Sequence, residues 1–442
     1  MQTNLADWIK DTPEGKEADA ILRACVHCGF CTATCPTYQL LGDELDGPRG
    51  RIYLIKQMLE GAPVSSKTQL HLDRCVTCRS CETTCPSGVR YGRLVDIGRA
   101  VVDEKVGRPP MQRLGRSLLN WGLTRRGPFS AALAVGRTFR AVLPAGVAKK
   151  IPVRIDAGPW PTTVHPRKML MLNGCVQPAL LPRIDAATAR VLDCIGITSL
   201  QISESACCGA VSHHLDFHDE AIGFVKRNID AWWPHVEAGA EAIVVNASGC
   251  AVMVKDYGHL LRSDAAYADK AAKIATLSKD VSEIVTAEWE SLVPMIASKR
   301  DAAKRDGAIE PKLAFHSPCT LQHGQQIRGV VERVLREIGY MLTPVADAHL
   351  CCGSAGTYSI LHPDLSNRLK ANKLAALEAG DPLVIASANV GCITHLQGGS
   401  TRPVRHWIEL LDEALHQKEL GSDTNSAISA NSAPARGHEI GV

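Results

Sequence analysis

Residues 25–36 read CVHCGFCTATCP and residues 75–86 read CVTCRSCETTCP, so the same arrangement of four cysteines occurs twice. In each run the cysteines are separated by two, two and three residues, and a proline follows the last one. This is the spacing with which bacterial two-cluster proteins ligate [4Fe–4S] clusters. Zinc sites usually use two pairs of cysteines, and disulfides do not explain a four-cysteine run that occurs twice. The sequence therefore predicts two [4Fe–4S] clusters.

The fourth cysteine of each run is expected to bind the cluster of the other run. The predicted ligands of the first cluster are Cys25, Cys28, Cys31 and Cys85. The predicted ligands of the second cluster are Cys75, Cys78, Cys81 and Cys35. Gly29 lies where the backbone turns around a cluster, so a positive φ is expected there. Because such clusters transfer single electrons, the chain is predicted to be one component of a redox relay.

The composition is that of an intracellular globular protein. The chain has 442 residues, enough for two or three domains, and its formal net charge of +3 favours no particular partner. Residues 1–20 lack the pattern of a secretory signal, so the 17 cysteines are interpreted as metal ligands rather than disulfides. No apolar run approaches the ~20 residues that cross a bilayer. We expect a cytoplasmic protein that is soluble or bound to a membrane surface.

Eight further cysteines form an internal repeat. Each half contains one cysteine, then Cys-Cys-Gly, then a final cysteine; the two sets are Cys175, Cys207, Cys208 and Cys250, and Cys319, Cys351, Cys352 and Cys392. Corresponding cysteines are 144 or 142 residues apart. Strand-like apolar runs precede cysteines and helical stretches separate them, which predicts α/β modules. Because ligands gather beyond the carboxyl ends of strands in such sheets, the four cysteines of each module are expected to converge.

Three interpretations of these eight cysteines remain open. They form an additional iron–sulfur centre, a zinc or purely structural site, or a buried thiol cluster without metal, since four thiolates satisfy several metals. His395 follows Cys392 by three residues and is a candidate fifth ligand, although a core or surface histidine is the commoner role. Cys194 falls outside every set and is interpreted as an ordinary thiol in a helix.

The segment between the cysteine runs and the repeat is strongly basic. Residues 108–155 contain ten Lys and Arg residues and no Asp or Glu, with large apolar residues among them. Such a stretch favours peripheral binding to an anionic membrane surface. The alternative is a linker that packs on the next domain or on an acidic partner. No nucleic-acid partner is expected, because no recognised nucleic-acid-binding motif accompanies the charge.

The predicted fold class is a multidomain α+β protein. A mainly α-helical ferredoxin domain with two [4Fe–4S] clusters precedes two tandem α/β Cys-Cys-Gly modules. The predicted boundaries are 1–104 for the ferredoxin domain, 105–167 for the basic connector, 168–300 and 301–416 for the two modules, and 417–442 for a disordered tail rich in Ser, Ala and Asn.

Several stretches resemble the iron–sulfur subunits of bacterial glycolate oxidase. They are RACVHCGFC at 23–31, DGPRGR at 46–51, NIDAWWP at 228–234, CTLQH at 319–323 and CCGSAGTY at 351–358. The wider family includes subunits of heterodisulfide reductase, anaerobic glycerol-3-phosphate dehydrogenase and lactate-utilisation proteins. Relatives that bind a non-cubane cluster usually end the module motif in CxxC, whereas here Met253 and His395 take the last position.

The resemblance implies a subunit of a glycolate (2-hydroxy acid) oxidase or dehydrogenase complex. Implied partners are an FAD-containing subunit, a second FAD-binding-type subunit, and a quinone or other respiratory acceptor at the cytoplasmic face of the inner membrane. No G-x-G-x-x-G dinucleotide fingerprint is present, so the isolated chain is not expected to oxidise substrate. The alternatives are a disulfide-reductase-type subunit with its catalytic centre in the modules, and the iron–sulfur subunit of a glycerol-3-phosphate or lactate dehydrogenase.

Overall fold

The computed structural model describes residues 1–142, 151–305 and 310–416. Up to residue 106 the described chain is helical, as expected for the ferredoxin domain. Its α-helices are α1 (Pro13–Ala24), α2 (Pro36–Leu41), α3 (Pro48–Leu59), α4 (Ser66–Asp73), α5 (Ser80–Thr84) and α6 (Tyr91–Val106). Helices α1, α2 and α3 each begin with proline, which lacks the N–H that the first turn of a helix leaves unpaired.

The core of the ferredoxin domain lies between α1, α3, α4 and α6. Leu22, Ile55, Leu59, Leu72 and Leu94 are completely buried there. The same apolar cluster includes several of the ferredoxin-type cysteines. The helices therefore enclose the cysteine loops, which connect one helix to the next.

Two helices, α7 (Pro110–Thr124) and α8 (Arg126–Thr138), occupy the basic segment. One side of α7 carries buried polar residues that face the first module. Arg116 Nη2 lies 2.8 Å from an Asp216 carboxylate oxygen, and Ser212 Oγ donates to Asn120 Oδ1 at 2.7 Å. The segment thus packs on the next module along this side, while residues 143–150 lie outside the described part.

The first module contains a four-stranded parallel sheet in the order β2-β1-β3-β4. Its elements are β1 (Arg167–Met171), α9 (Gln177–Leu180), α10 (Pro182–Cys194), β2 (Ile197–Gln201), α11 (Ala210–His214), α12 (His218–Glu237), β3 (Ile243–Val245), α13 (Ser248–Lys255), α14 (Tyr257–Leu260), α15 (Ala268–Leu277), β4 (Ser278–Asp280), α16 (Val281–Ala287) and α17 (Trp289–Arg305).

The second module repeats this arrangement, with parallel strands in the order β6-β5-β7-β8. Its elements are β5 (Lys312–His316), a π-helical turn (Thr320–Gly324), α18 (Val330–Glu337), β6 (Met341–Leu342), α19 (Tyr358–Leu361), α20 (Pro363–Glu378), β7 (Val384–Ser387), α21 (Val390–Gln397), β8 (Val404–His406) and α22 (Trp407–His416).

The two modules share one hydrophobic core. Buried residues of both sheets belong to a single cluster that extends from Met169 to Leu415. Helix α22 packs against α10, where Arg190 Nη2 and an Asp412 carboxylate oxygen are 2.6 Å apart. The predicted fold class is confirmed: a helical cluster domain precedes two parallel α/β modules.

Three further expectations concern the domain boundaries, the C-terminal tail and membrane-spanning helices. The domain boundaries stay predictions. The tail at 417–442, predicted to be disordered, lies outside the described residues. Among the described helices, none combines the length and the apolar character that crossing a membrane requires.

Candidate metal centres

The four thiols predicted for the first cluster lie together. Burial raises the pKa of the Cys31 thiol to about 11. The neighbouring thiols that add to this rise are those of Cys25, Cys85 and Cys28. An open pocket adjoins all four, and Val89 forms part of its apolar wall. Four sulfurs around one cavity suit a cluster that needs one thiolate at each iron.

The four thiols predicted for the second cluster form another group, which is buried. Burial raises the pKa of the Cys81 thiol well above its ordinary value. The neighbouring thiols that add to this rise are those of Cys78, Cys75 and Cys35. Each group thus combines three cysteines of one run with the fourth cysteine of the other. This is the crossed arrangement that the spacing predicts; the ligand assignment itself stays a prediction.

The two cysteine loops share an unusual backbone conformation. His27 and Gly29 have φ values of 58° and 87°, and the corresponding Thr77 and Arg79 have 50° and 58°. Gly29 therefore has the positive φ expected of it. A positive φ at a β-branched residue such as Thr77 is strained, and such strain concentrates at functional sites. With this backbone conformation, the Thr77 N–H points toward Cys75 Sγ, which lies 3.4 Å away. This orientation suits a loop that surrounds a centre bound through sulfur.

A buried charge network lies beside the second thiol group. Arg51 is 1% exposed and its Nη1 donates to Thr37 Oγ1 at 3.1 Å. The Thr37 hydroxyl lies 3.3 Å from Cys35 Sγ. Asp46, which is fully buried, accepts from Arg51 at 3.4 Å and from Arg74 at 2.8 Å. The network positions Cys35 and places positive charge next to sulfurs that become anionic when they bind metal.

The two thiol groups differ in their surroundings. Cys28 of the first group is exposed, and the neighbouring Val26 and Phe30 side chains are 67% and 62% exposed. In the second group Cys78 is buried against the second module, in an apolar cluster that includes Cys351. One group therefore opens to the surface, and the other lies between the ferredoxin domain and the second module.

The four cysteines of the first module converge as predicted. They follow the carboxyl ends of β1, β2 and β3. The thiols of Cys175 and Cys208 both shift the pKa of the Cys207 thiol, and the Cys250 thiol raises that of Cys208, so the four side chains are neighbours. The Gly209 N–H donates to Cys207 Sγ at 3.5 Å, with φ of 92° at the glycine.

The four cysteines of the second module converge in the same way at β5, β6 and β7. Cys319 Sγ lies 3.9 Å from Cys351 Sγ, and the neighbouring thiols of Cys351 and Cys392 raise the pKa of the Cys352 thiol. The Gly353 N–H donates to Cys351 Sγ at 3.4 Å. Both modules therefore use the glycine of Cys-Cys-Gly to direct a backbone N–H at the first sulfur of the pair.

A histidine that the sequence analysis missed joins the second set. His316, the last residue of β5, has its ring beside Cys352 and Cys392, and one donor atom of each residue lies within 4.8 Å of the others. The hydrogen bond from Cys352 lowers the pKa of Cys392 to about 5, and the nearby imidazole contributes to this lowering. His395, the candidate fifth ligand, has its Nε2 instead 3.2 Å from Ser366 Oγ. The sequence signal that could have identified His316 is its place at the end of an apolar run, three residues before Cys319.

Two known protein families match the regions of the chain that contain these cysteines. Residues 21–89 match the family of 4Fe-4S dicluster domains. Residues 169–255 and 313–397 each match the family of cysteine-rich domains. The matches cover both cysteine runs and the two modules.

Three curated relatives are similar over 55–95% of the chain. The glycolate oxidase iron-sulfur subunit of Escherichia coli (strain K12) is 53% identical over 419 residues, which cover 95% of this chain and 100% of that protein. The probable glycolate oxidase iron-sulfur subunit of Bacillus subtilis (strain 168) is 29% identical, over 89% of this chain and 94% of that protein. A lactate utilization protein A from Exiguobacterium sp. is 25% identical over 55% of this chain and 96% of its own length. The chain therefore belongs to the family of glycolate oxidase iron–sulfur subunits.

Proposed function

We propose that this chain is the electron-transfer subunit of a flavin-dependent glycolate (2-hydroxy acid) oxidase complex. Each [4Fe–4S] cluster, when bound, accepts and releases one electron at a time. Cys25, Cys28, Cys31 and Cys85 would hold the first cluster, and Cys75, Cys78, Cys81 and Cys35 the second. Family membership supports glycolate as the substrate class.

The observation that carries the proposal is the different exposure of two adjacent thiol groups. The first group reaches the surface at Cys28, where Val26 and Phe30 offer an apolar contact area. Cys81 of the second group also lines the cavity of the first, so the two groups adjoin. Electrons from a partner would enter at the exposed group and continue to the buried one beside it. The second cluster, bound by the buried group, would then deliver the electrons one at a time to the acceptor.

The chain would need a flavoprotein partner to oxidise the substrate. Its sequence contains no dinucleotide fingerprint, and neither cysteine run supplies a site for two-electron chemistry on a hydroxy acid. We infer that an FAD-containing subunit and a second FAD-binding-type subunit complete the complex, and that a quinone is the final acceptor.

The decisive experiment compares Cys78→Ser with Cys194→Ser in the complex purified anaerobically with its partner subunits. Cys194 lies outside all the thiol groups and serves as the matched control. Because ligation and folding of such sites are linked, Cys78→Ser is expected to reduce the iron content from about eight to about four per chain. Glycolate should still reduce the flavin in this variant, while electron delivery to quinone is lost. Full iron content in Cys78→Ser, or full quinone reduction without this chain, would refute the proposal.

We further propose peripheral attachment to an anionic membrane through α7. Met111, Leu114, Leu118 and Trp121 recur at intervals of three or four residues, and each is between 52% and 78% exposed. They form an apolar stripe opposite the polar side that packs on the first module. Arg113 and Arg126 are exposed near the stripe, and the segment contains no acidic residue. An apolar face bordered by positive charge is the pattern of an interfacial helix.

Vesicle flotation tests this attachment. The double variant Leu114→Ser/Leu118→Ser is compared with Leu383→Ser, which removes an exposed leucine of the second module. Loss of two leucines, each contributing about 1.5–3 kcal/mol when buried, should weaken binding to phosphatidylglycerol vesicles by more than about tenfold. The control should bind normally, and neutral vesicles should bind less of every protein. Equal binding of the double variant and the wild type would contradict the proposal.

A further inference from the structure

An open pocket lies where the ferredoxin domain meets the two modules. Its walls include Cys78 of the second thiol group, Asp96 of α6, His213 and His214 of α11, and Thr320 of the second module. The pocket therefore borders a predicted ligand of the second cluster. Electron transfer requires a place where electrons leave this cluster, but it does not by itself explain why two imidazoles and a carboxylate gather beside it.

We propose that this pocket binds the headgroup of a quinone, and that His213 is the acid that supplies a proton while the second cluster supplies electrons. The proposal rests on the electron-transfer function proposed above and adds to it the site of quinone reduction. A quinone becomes a hydroquinone by taking up two electrons and two protons, so its binding site must deliver both. Iron–sulfur clusters supply only the electrons.

His213 is placed to hold a proton. Its Nε2 lies 3.6 Å from an Asp96 carboxylate oxygen, and the two side chains are only 14% and 17% exposed. Burial by itself disfavours the imidazolium, but the Asp96 carboxylate outweighs burial and raises the pKa of His213. Burial also disfavours the carboxylate, yet the contact with His213 lowers the pKa of Asp96. These shifts favour an imidazolium paired with a carboxylate, which is the protonation state that a general acid requires.

A second histidine connects this acid to solvent. The ring centroids of His213 and His214 are 5.5 Å apart, and His214 is exposed. Water at His214 can therefore return a proton to His213 after each transfer. In the proposed reaction the partner flavin reduces the second cluster twice, and the cluster passes the two electrons singly to the quinone. His213 protonates one carbonyl oxygen of the quinone, and water in the pocket protonates the other.

The rest of the wall suits a ring with polar oxygens. Arg79 Nη2 and Arg93 Nη2 lie 3.3 Å and 2.7 Å from the two carboxylate oxygens of Asp256, and all three residues line the pocket. Two guanidinium groups share one carboxylate, so positive charge remains to stabilise the negative charge that develops on a quinone oxygen as electrons arrive. Val252 and Met253 add apolar surface against which the ring can pack.

The pocket also lies near the helix that we propose to contact the membrane. Ser212, the residue before His213 on α11, donates to Asn120 of α7 at 2.7 Å. Asn120 lies on the polar side of α7, opposite its exposed apolar stripe. A respiratory quinone carries a long apolar chain that keeps it in the bilayer. A site separated from the membrane surface by one helix is therefore well placed to receive its headgroup.

The first test compares His213→Gln with His235→Gln in the complex purified anaerobically with its partner subunits. His235 belongs to α12 and is not among the described residues that line the pocket, so it is the matched control. With glycolate as donor, His213→Gln should reduce a short-chain ubiquinone about 100-fold more slowly, because general acids contribute at least this much. Ferricyanide accepts one electron and no proton, so its reduction should be unchanged.

Electron paramagnetic resonance of the same samples shows whether glycolate still reduces the clusters. The signals should be equal in the wild type, His213→Gln and the control. The proposal is overturned if His213→Gln reduces quinone as fast as the control does, or if it loses ferricyanide reduction to the same extent. Clusters that glycolate does not reduce in the wild-type complex would instead refute the electron-transfer function, so the two failures are distinguishable.

Photolabelling of the wild-type complex provides a second readout that needs no variant. A light-activated azido derivative of the same ubiquinone should label peptides that contain residues 210–214 or 249–260, which line the pocket. An excess of the unmodified quinone should prevent this labelling. Labelling confined to peptides outside the pocket would overturn the proposal.

Discussion

Replacing Arg99 with glutamine should lower the reduction potential of the second cluster. Arg99 is 7% exposed and its Nη2 donates to the Cys75 carbonyl at 2.7 Å and to the Leu72 carbonyl at 2.9 Å. Nearby Cys75 and acidic groups raise the pKa of this guanidinium against the opposing effect of burial. Its positive charge therefore lies next to a predicted ligand and favours the more negative, reduced state of a cluster bound there.

The size of the effect follows from Coulomb's law. Two unit charges about 7 Å apart in an effective dielectric constant of about 20 interact by about 2.4 kcal/mol, which sets the scale for a guanidinium beside a cluster. For a one-electron couple, in which a tenfold change in equilibrium is 59 mV, this corresponds to about 100 mV. Arg99→Gln should lower the potential by up to this amount, whereas Arg99→Lys, which keeps the charge, should lower it by much less.

A redox titration followed by electron paramagnetic resonance measures the change. Arg90→Gln is the control, because Arg90 is exposed and its charge is screened by water. Iron content must be equal in all samples, so that loss of the cluster is not mistaken for a shift. Unchanged potentials in Arg99→Gln, or an equal decrease in Arg99→Lys, would refute the electrostatic reasoning.

Two further predictions concern the modules. Burial raises the pKa of Asp185 from 3.8 to about 6. Ionisation of this carboxyl therefore lowers the free energy of unfolding by about 3 kcal/mol above pH 6 and has no effect below about pH 4. Asp185→Asn can still accept from Gln177 Nε2, so urea unfolding should show a more stable protein at pH 7 and equal stability at pH 4; lower stability at pH 7 would contradict this. Gly353→Ala places a Cβ 2.7 Å from a backbone oxygen at φ +86°, and should cost more than about 2 kcal/mol by the same measurement. Gly329→Ala, at φ +72° with open space around it, should cost about 1 kcal/mol, and equal costs would argue against the close approach.

The local sequence pattern was sufficient to predict the strands that precede four of the module cysteines. The apolar runs before Cys175, Cys250, Cys319 and Cys392 coincide with β1, β3, β5 and β7. The other strands of each sheet were not predicted, because β4, β6 and β8 have only two or three residues and β2 is only partly buried. Strands that are this short or only partly buried show too little alternation of apolar and polar residues to be distinguished from loops.

The spacing of the cysteine runs, with the proline after each, identifies the ferredoxin domain and its two four-thiol groups. It does so because cluster ligation requires sulfurs at fixed short intervals along one loop, and such intervals are local properties of the chain. Folding alone places His316 among the thiols of the second module, buries Arg51 and Arg99 beside the second group, and turns the polar side of α7 inward. These features depend on contacts between residues far apart in the chain, since burial and charge pairing arise only when helices and sheets pack together.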